Sequence, residues 1–390
     1  MKILHLTFYF EPDLCAGSFR NTPLFKELTN QLGTDDFVHV VTTLPNRYST
    51  YKTKADAVES GKNYKIDRIK IPTHKSGLFD QAISFCVFFY NVIKLVRKEK
   101  YDIVLASSSR LFTAFLGRII AKRNNAYLYL DIRDIFVDTL SDIFSNKRFI
   151  QIPAVSLLKI VEKYTFSNAN HINLVSGGFR AYFSKYTKPT FSFFTNGIDD
   201  EFLNVNTSKL KEELDVHVII YAGNIGSGQG LEKVIPQAAK LLGDKYQFRI
   251  IGDGGTKNLL MNNVASMKLT NVEIINPVSR AELIDYYLKS DFLFLHLNDL
   301  EAFKKVLPSK IFEYGAFNKP IIAGVSGFAK EFIRDNLQNY ILFEPTDVND
   351  LVTQIKAFKI TETVRTDFIE KFARKNIIKK MSKSILDFGC

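Results

Sequence analysis

The sequence predicts an α/β protein made of two doubly wound domains, each with a parallel sheet covered by helices. Three observations predict this class. The chain of 390 residues is 46% hydrophobic, which is enough to form at least two ordinary domain cores. Short apolar runs rich in β-forming residues alternate with helical patterns, as they do in βα units. The alternation restarts in the second half of the chain, so we expect two separate sheets.

The first half of the chain carries the elements of an amino-terminal domain. Its predicted strands are MKILHLTFYF, FVHVVTTL, YDIVLASSS, AYLYLD and HINLVS, and its helices include NTPLFKELTNQL and RLFTAFLGRIIAKRN. A polar connection at 187–216 follows and contains the turn-like TNGIDD. We therefore place the amino-terminal domain at residues 1–195.

The second half repeats the alternation. Its predicted strands are VHVIIYAG, YQFRIIGDG, NVEIINP, FLFLHL and KPIIAG, and its helices are LEKVIPQAAKLL, RAELIDYYLKS and SKIFEYGAF. We place a carboxy-terminal domain at residues 196–372. A charged helical tail follows at 373–390, and one possibility is that it crosses back to the amino-terminal domain.

Composition narrows the class of protein. The net charge is +11, and residues 1–200 hold 27 Lys and Arg against 18 Asp and Glu, so most of the excess lies in the first half. Such a surface favours an anionic partner, for instance phospholipid or a lipid diphosphate. No helix-turn-helix, zinc finger or RNA-binding sheet motif is recognisable, so we do not expect nucleic acid as a partner. The sequence has no uncharged run of membrane-spanning length.

The cysteines and the amino terminus indicate a compartment. Cys15, Cys86 and Cys390 are too few and too scattered for a disulfide framework or a zinc knuckle. The first residues pass directly into polar EPD and predict a strand rather than a signal peptide. We expect a cytoplasmic protein.

Glycine-rich loops follow two predicted strands of the second domain. The loop GNIGSGQG, residues 223–230, opens a helix, and GDGG occupies residues 252–255. In parallel α/β sheets ligands bind at the carboxyl ends of the strands, where glycines let the backbone approach an anion. We favour phosphate binding for the first loop, although a flexible turn has the same composition. The second loop alone is equally consistent with a simple turn.

The stretch LPSKIFEYGAF predicts a helix with a charged pair at its start. Lys310 and Glu313 lie three residues apart and share one face of the helix, while Pro308 and Ser309 suit its first turn and the capping of its free amides. A cation followed by a carboxylate about 5 Å further along suits the phosphates and the ribose of a nucleotide. The alternative is an ordinary surface ion pair. The apolar residues on either side favour the ligand interpretation.

Several motifs together carry a resemblance. They are EPDLCAGSFR, DIRDIFVD at 131–138, TNGID at 195–199, YAGNIGSGQGL at 221–231, IGDG at 251–254 and LPSKIFEYGAFNKPIIA at 307–323. In this order and spacing they resemble the retaining glycosyltransferases of family GT4, in the branch that builds bacterial O-antigen, capsule and similar surface polysaccharides. The resemblance covers about residues 1 to 375 and implies the GT-B fold, two Rossmann-like domains facing across a cleft.

The resemblance also implies roles for matching residues. Glu313 corresponds to the second glutamate of the family's E-x7-E motif, which binds the ribose of the donor, and Lys310 would lie by the diphosphate. Asp131, Arg133 and Asp134 are where the family places groups facing the reacting sugar and acceptor, with Asp134 as acid/base helper. The residues expected to bind the nucleotide sugar are Gly17, Arg20, Gly223, Asn224, Gly226, Gln229, Gly252, Gly254, Lys305, Ser309, Lys310 and Glu313.

The sequence departs from the family pattern at three positions. The first glutamate of the motif falls on Lys305, and the arginine–lysine pair that grips the diphosphate is replaced by Asn224 and Gln229. The phosphates would then be neutralised by Lys310, Lys305, Arg20 and loop amides. These departures leave open a catalytically silent partner that binds nucleotide or lipid. A nucleotide-sugar 2-epimerase is a further alternative, but the acidic and histidine groups it would need are not found.

One stretch of the first domain bears on membrane contact. In SGLFDQAISFCVFFYNVIKLVRKEK, residues 76–100, an apolar face of Phe85, Phe88, Phe89, Val92 and Val96 precedes a basic end. Such a helix can lie on an anionic membrane or pack into the core, and we favour the core.

The sequence therefore predicts a glycosyltransferase that transfers a sugar from a nucleotide donor, expected to be a UDP-sugar, to a polyprenyl-diphosphate-linked saccharide. The family works without a metal, and no D-x-D motif or histidine ligand spacing is present. His5 and His296 are expected to be buried, hydrogen-bonded histidines rather than catalysts. We expect the enzyme at the inner face of the cell membrane.

Overall fold

A computed structural model describes residues 1–46, 54–72, 78–108, 111–143, 148–203, 205 and 216–388. The chain divides into two compact units. The first contains Met1–Asn196 together with Lys375–Cys390, and the second is Gly197–Arg374. Part of the predicted connection at 187–216 and the ends of two predicted helices, at 76–77 and 110, lie outside the described residues.

The first unit is built on an eight-stranded sheet. Its order is β3-β4-β2-β1-β5-β6-β7-β8, and every neighbouring pair is parallel except β3 with β4. Central strands such as β5 are buried along their whole length, as expected for parallel strands covered on both faces. The strands are β1 Lys2–Thr7, β2 Phe37–Thr43, β3 Val58–Ser60, β4 Tyr64–Ile69, β5 Ile103–Ser108, β6 Tyr127–Ile132, β7 His171–Leu174 and β8 Thr190–Ser192.

Helices cover this sheet. They are α1 Ser18–Gln31, α2 Leu78–Val96, α3 Leu111–Asn124, α4 Phe136–Ile143, α5 Arg148–Phe166 and α6 Arg180–Phe183. Helix α2 is the predicted aromatic helix, and Phe85, Phe88, Val92 and Val96 on its apolar face are all at least 93% buried. The interpretation of this face as part of the core is therefore confirmed.

The second unit has six parallel strands in the order β11-β10-β9-β12-β13-β14. The chain reverses its direction of travel between β9 and β12, so the carboxyl ends of these two strands form the switch point of the sheet. The strands are β9 His217–Asn224, β10 Tyr246–Asp253, β11 Val272–Ile275, β12 Phe292–His296, β13 Ile321–Gly324 and β14 Tyr340–Phe343.

The helices of the second unit precede, connect and follow these strands. They are α7 Asp200–Leu203, α8 Leu231–Leu242, α9 Lys257–Ser266, α10 Arg280–Leu288, α11 Lys310–Gly315, α12 Gly327–Asn336, α13 Val348–Ala357 and α14 Thr366–Phe372. Two units of this kind confirm the predicted fold class. The last helix, α15 Arg374–Leu386, places Ile378, Met381 and Ile385 in the same buried cluster as Leu24 and Phe25 of α1. The tail thus packs on the core of the first unit.

Candidate functional site

The two glycine-rich loops of the second unit lie against each other. Strands β9 and β10 end side by side, with Gly223 opposite Gly252 and Asn224 opposite Asp253. Gly252 has a φ of 152°, and a Cβ there would overlap the carbonyl oxygen of Gly223. Because an L side chain fits neither the dihedral nor the space, this contact requires glycine. The loops therefore form one compact platform at the carboxyl ends of the strands, as the sequence predicts.

Within the first loop, the predicted ligand residues Asn224 and Gln229 are brought together. The Asn224 side-chain amide donates a hydrogen bond of 2.8 Å to the Gln229 side-chain oxygen. A Cβ on Gly226 would lie only 2.5 Å from the Asn224 amide nitrogen, so this glycine makes room for the side chain. Gly254 lies beside the carbonyl oxygen of Ile225, at the junction of the two loops.

Residues that follow β12 hold the loop from the other side of the switch point. The Asn298 side chain donates to the Ser227 carbonyl at 3.0 Å, and its backbone amide donates to the Gly228 carbonyl at 2.9 Å. Asn298 could not be identified from the sequence, because an asparagine after a strand is also common in simple turns.

His296 fixes the end of the same loop. Its Nδ1 donates to the Gln229 carbonyl at 2.6 Å, while its Nε2 accepts from the Thr346 amide at 3.0 Å. One ring nitrogen donates and the other accepts, so the imidazole is neutral. Burial lowers the pKa of His296 to about 4, which agrees with this state. His296 is thus a buried, hydrogen-bonded histidine, as predicted.

The charged pair of α11 lies next to this platform. Lys310 Nζ is 2.6 Å from Glu313 Oε2, and the side chains are 23% and 15% exposed. The hydroxyl of Tyr287 on α10 is 3.3 Å from both Glu313 Oε1 and Lys310 Nζ. A Cβ on Gly223 would be 3.4 Å from Lys310 Cε, so the lysine stem passes beside the glycine loop. Loop, cation and carboxylate therefore form one cluster.

Tyr287 is a site residue that the sequence analysis missed. It is completely buried between the rings of Phe202, Tyr314 and Phe317, and only its hydroxyl reaches the charged pair. Burial and the Glu313 carboxylate raise the pKa of Tyr287 well above its usual value, so the hydroxyl keeps its proton for donation. The sequence RAELIDYYL shows two adjacent tyrosines but not which one points towards Glu313.

The predicted role of Ser309 as a cap is wrong. Ser309 precedes α11 with helical dihedral angles, and its side chain makes no capping hydrogen bond. The amides of Ile311 and Phe312 donate instead to the carbonyls of Pro308 and Ser309, both at 3.2 Å. Those two amides are already used, so Lys310, rather than a set of bare amides, is the group available to an anion at this position.

Lys305 ends a short 3-10 turn, Glu301–Lys305, and is half-buried. The turn lies against the glycine loop, because a Cβ on Gly228 would be 3.0 Å from the ring of Phe303. The substituted position of the motif is therefore on a segment that contacts the loop platform.

In the first unit, three predicted residues meet after β1 and β6. A Cβ on Gly17 would be 2.7 Å from Arg133 Nη1, so the arginine lies directly on the early glycine loop. Arg133 Nε is buried and has no hydrogen-bond partner among the described residues. Asp134 follows Arg133 and is half-buried, and burial raises its pKa to about 6. Gly17, Arg133 and Asp134 therefore lie close together, and Nε of Arg133 still lacks a hydrogen-bond partner among the described residues.

Two predicted site residues are in the wrong place for their predicted roles. Arg20 and Asp131 are both 0% exposed and form a bidentate ion pair with two distances of 2.8 Å. Arg20 also donates to the carbonyls of Phe194 and Thr195, and Asp131 accepts from Ser107 and Asn173. With every carboxylate oxygen and most guanidinium hydrogens occupied, Asp131 does not face a reacting sugar and Arg20 does not reach a phosphate.

The last three residues of TNGID, Gly197–Asp199, are held within the second unit. The carboxylate of Asp199 accepts hydrogen bonds from Arg280 and Arg374, and a Cβ on Gly197 would be 2.8 Å from Arg374 Cα. Burial by itself would lower the pKa of Arg280, but Asp199 raises it, and Glu313 adds to that effect. Arg280 thus lies within electrostatic range of the Lys310–Glu313 pair.

Two searches for other features of a site were limited to the described residues. In that part of the chain no group of three or more His, Cys, Asp or Glu side chains is arranged to hold a metal ion. No helix there combines the length and apolar character needed to cross a bilayer.

Comparisons with known proteins agree with this architecture. The family model for glycosyl transferases group 1 matches residues 205–375. A protein of Escherichia coli (strain K12) named as a colanic acid biosynthesis glycosyl transferase, WcaI, is 26% identical over 238 residues, which span 58% of this chain and 58% of that protein. The chain thus matches somewhat more than half the length of this relative.

Solved structures match nearly the whole chain. The structure of HepE from Anabaena in complex with UDP has a TM-score of 0.67 at 16% identity and covers 99% of this chain and 100% of its own. The structure of WaaG, a glycosyltransferase involved in lipopolysaccharide biosynthesis, has a TM-score of 0.68 at 12% identity and covers 98% of this chain and 99% of its own. At these identities the similarity establishes the GT-B fold.

Proposed function

We propose that this chain, whose residues 205–375 match the family model for glycosyl transferases group 1, transfers a sugar from a nucleoside diphosphate sugar to a hydroxyl group of a saccharide acceptor. The observation that carries the proposal is the cluster in which Glu313, Lys310 and the glycine platform lie together at the switch point of the second sheet. Ligands of parallel α/β sheets bind at such points. The cluster supplies a cation for phosphate and a carboxylate for a sugar diol.

Glu313 suits the ribose of the donor. Its carboxylate is 15% exposed, so it is accessible at one side and held by Lys310 and Tyr287 at the other. A carboxylate has about four acceptor positions, which leaves room for two ribose hydroxyls. Structures of HepE contain UDP and UDP-glucose, and this supports UDP as the nucleotide of the donor here.

The diphosphate would lie between Lys310 and the loop that contains Asn224 and Gln229. Transfer breaks the bond between the anomeric carbon and the phosphate oxygen, and the departing diphosphate takes the electron pair. The Lys310 ammonium and the loop dipoles stabilise that charge, which is electrostatic catalysis without a metal. The acceptor oxygen forms the new bond on the same face of the sugar, so its configuration is retained. The acceptor's proton passes to the departing phosphate.

We propose further that the acceptor is a saccharide carried on a polyprenyl diphosphate and that the product is a bacterial surface polysaccharide. The relative named for colanic acid biosynthesis and the lipopolysaccharide enzyme WaaG support this class of product. An acceptor with a lipid anchor would bring the enzyme to the inner face of the cell membrane.

The test is release of UDP from UDP-sugars by the purified chain in EDTA. We expect slow release from one UDP-sugar without acceptor, because the departing group is activated even when water is the only acceptor. The release should persist in EDTA and should be lost in Lys310→Met, while Lys304→Met, on the neighbouring turn, retains it. Full activity that requires added magnesium would contradict the metal-free mechanism.

A catalytically silent partner is the second candidate function. The observation that favours it is the hydrogen bond between Asn224 and Gln229, because two neutral side chains satisfy each other where the family has a cationic pair. In that case UDP would bind to the chain without any release of UDP from UDP-sugars. Binding together with release supports the transferase.

A further inference from the structure

Three helices of the first unit form one continuous outer surface, which we call the α2–α3–α5 face. The ring of Phe89 on α2 is 6.4 Å from that of Phe115 on α3, and Phe115 is 6.1 Å from Tyr164 on α5. The guanidinium of Arg118 lies 5.5 Å from the Tyr164 ring. The helices therefore lie side by side, with α3 in the middle.

This face exposes large apolar side chains. Leu157, Ile160 and Tyr164 of α5 are 63%, 67% and 36% exposed, and their spacing of three and four residues places them along one stripe. Ile152 adds a further exposed side chain on the same helix. On α2 the exposed apolar residues are Ile83, Tyr90 and Leu95. An exposed apolar stripe such as that of Leu157, Ile160 and Tyr164 marks a site of interaction rather than ordinary solvent contact.

The same face is basic. The three helices contain seven Lys and Arg residues and only two acidic ones, Asp80 and Glu162. Glu162 is 2% exposed and accepts hydrogen bonds from Tyr182 and Tyr186, so it adds no exposed negative charge. Six of the cationic residues have described side chains: Lys94, Arg118, Lys122, Arg123, Lys159 and Lys163.

The combination points to one kind of occupant. We propose that the α2–α3–α5 face lies on an anionic phospholipid bilayer. The stripe of Leu157, Ile160 and Tyr164 would enter the boundary between head groups and acyl chains, while Lys159 and Lys163 contact phosphates. A second protein fits less well, because lysines are depleted at the centre of protein interfaces and here they adjoin the stripe. The inference rests on the proposed function, because an acceptor carried on a lipid is what would require the enzyme to bind a membrane.

The chain contains no tryptophan, so a single introduced indole can report insertion. The experiment uses the chain carrying Leu157→Trp, titrated with vesicles of phosphatidylcholine alone or of phosphatidylcholine mixed with anionic phosphatidylglycerol. The matched control is Leu259→Trp on α9 of the second unit, where Leu259 is 49% exposed. We expect the emission of the first variant to shift to shorter wavelength only with anionic vesicles, and the control to show no shift.

A second pair of variants measures the affinity by vesicle co-sedimentation. Leu157→Asp with Ile160→Asp should weaken binding to anionic vesicles at least tenfold, and the same change at Leu259 and Met261 should leave it unaltered. Binding of the parent chain should also fall as salt is raised, since lysine–phosphate attraction is screened. UDP binding is followed in every preparation, because it tests the donor site independently.

The outcomes are distinct. If the parent chain binds UDP but does not sediment with anionic vesicles, the membrane inference is overturned and the proposed function stands. If the aspartate pair instead turns a dimer into a monomer and no vesicle binding is seen, the face is an interface between two copies. If neither UDP nor vesicles bind, both proposals fail.

Discussion

Two ion pairs, one in each unit, differ in the structure although all four residues were predicted from the sequence to lie at the site. Arg20 and Asp131 are both 0% exposed, whereas Lys310 and Glu313 are 23% and 15% exposed. The difference is in the remaining partners. Asp131 also accepts hydrogen bonds from Ser107 and Asn173, while Glu313 has, among the described residues, one further contact besides its lysine, at 3.3 Å to the Tyr287 hydroxyl.

The comparison shows how to tell a structural pair from a binding pair. A buried pair must have all its hydrogen-bonding capacity met by the protein, because unpaired charge in the interior is costly. A pair at a ligand site keeps part of that capacity for the ligand. By this criterion Arg20 and Asp131 stabilise the first unit, and Lys310 and Glu313 are available to a nucleotide.

The largest expected effect is at the buried pair. Asp131→Asn leaves the Arg20 guanidinium buried without a counter-charge, so we expect the free energy of unfolding to fall by about 3–5 kcal/mol at pH 7. Urea unfolding measures this change. The double variant Arg20→Met with Asp131→Leu should recover part of the loss, since it removes both charges together.

The stability that the Asp131 carboxylate contributes to the parent chain depends on pH. Burial alone would raise the pKa of Asp131, but the Arg20 guanidinium holds it below its usual value. The stabilisation is therefore present above the ordinary aspartate pKa of about 3.9 and is lost as the pH falls through the lower pKa of the folded state. A variant as stable as the parent at pH 7 would contradict the structural role.

Asp134 differs from Asp131, because its pKa lies above the usual value of an aspartate and that of Asp131 lies below it. Burial raises the pKa of Asp134 to about 6. The stability linked to its neutral form is present below about pH 4 and is lost as the pH rises through about 6, so the ionised group costs stability at pH 8. We expect Asp134→Asn to raise the free energy of unfolding by about 1–3 kcal/mol at pH 8 and to change it little at pH 4.

Activity provides the second measurement on this variant. A carboxylate that costs stability but is kept for the reaction should, when replaced, give a more stable and less active protein. We therefore expect Asp134→Asn to lower turnover with acceptor and to leave UDP affinity unchanged. A variant that is less stable than the parent at pH 8 would show that the surroundings of Asp134 favour its charge.

The smallest expected effect is at Tyr287. Tyr287→Phe removes a hydroxyl that is 3.3 Å from both Glu313 Oε1 and Lys310 Nζ but keeps the ring in its buried position. We expect UDP affinity to fall about threefold to tenfold, in the range of one hydrogen bond. The matched control is Tyr286→Phe, on the same helix. Equal losses in the two variants would argue against a positioning role for the Tyr287 hydroxyl.

Most of the fold could be predicted from the sequence, because apolar runs and glycine loops mark the strands that cross the cores. Strand β4, Tyr64–Ile69, was missed because Lys65, Asp67 and Arg68 interrupt its apolar pattern. In the folded chain Asp67 pairs with His39 at 2.7 Å, and Arg68 pairs with Glu59. Partners on neighbouring strands thus make a charged segment acceptable within the sheet.

The candidate site could be predicted only where it is local in sequence. The pair of Lys310 and Glu313 is visible because helix geometry relates residues three apart. The contact of Tyr287 with Glu313 spans 26 positions, and that of Arg20 with Asp131 spans 111. Sequence spacing carries no information about such contacts, which is why the first was missed and the second was misassigned to ligand binding.

The central claim is that Glu313 binds the ribose of a nucleotide donor. The chain offers a matched control, since Glu301 forms a second i,i+3 pair with Lys304 in which the glutamate is 77% exposed. Calorimetric titration with UDP in EDTA compares the parent chain, Glu313→Ala and Glu301→Ala. We predict micromolar binding to the parent and to Glu301→Ala, and binding at least tenfold weaker, about 1.4 kcal/mol, to Glu313→Ala. Equal affinity of all three proteins, or no binding to the parent, would contradict the account.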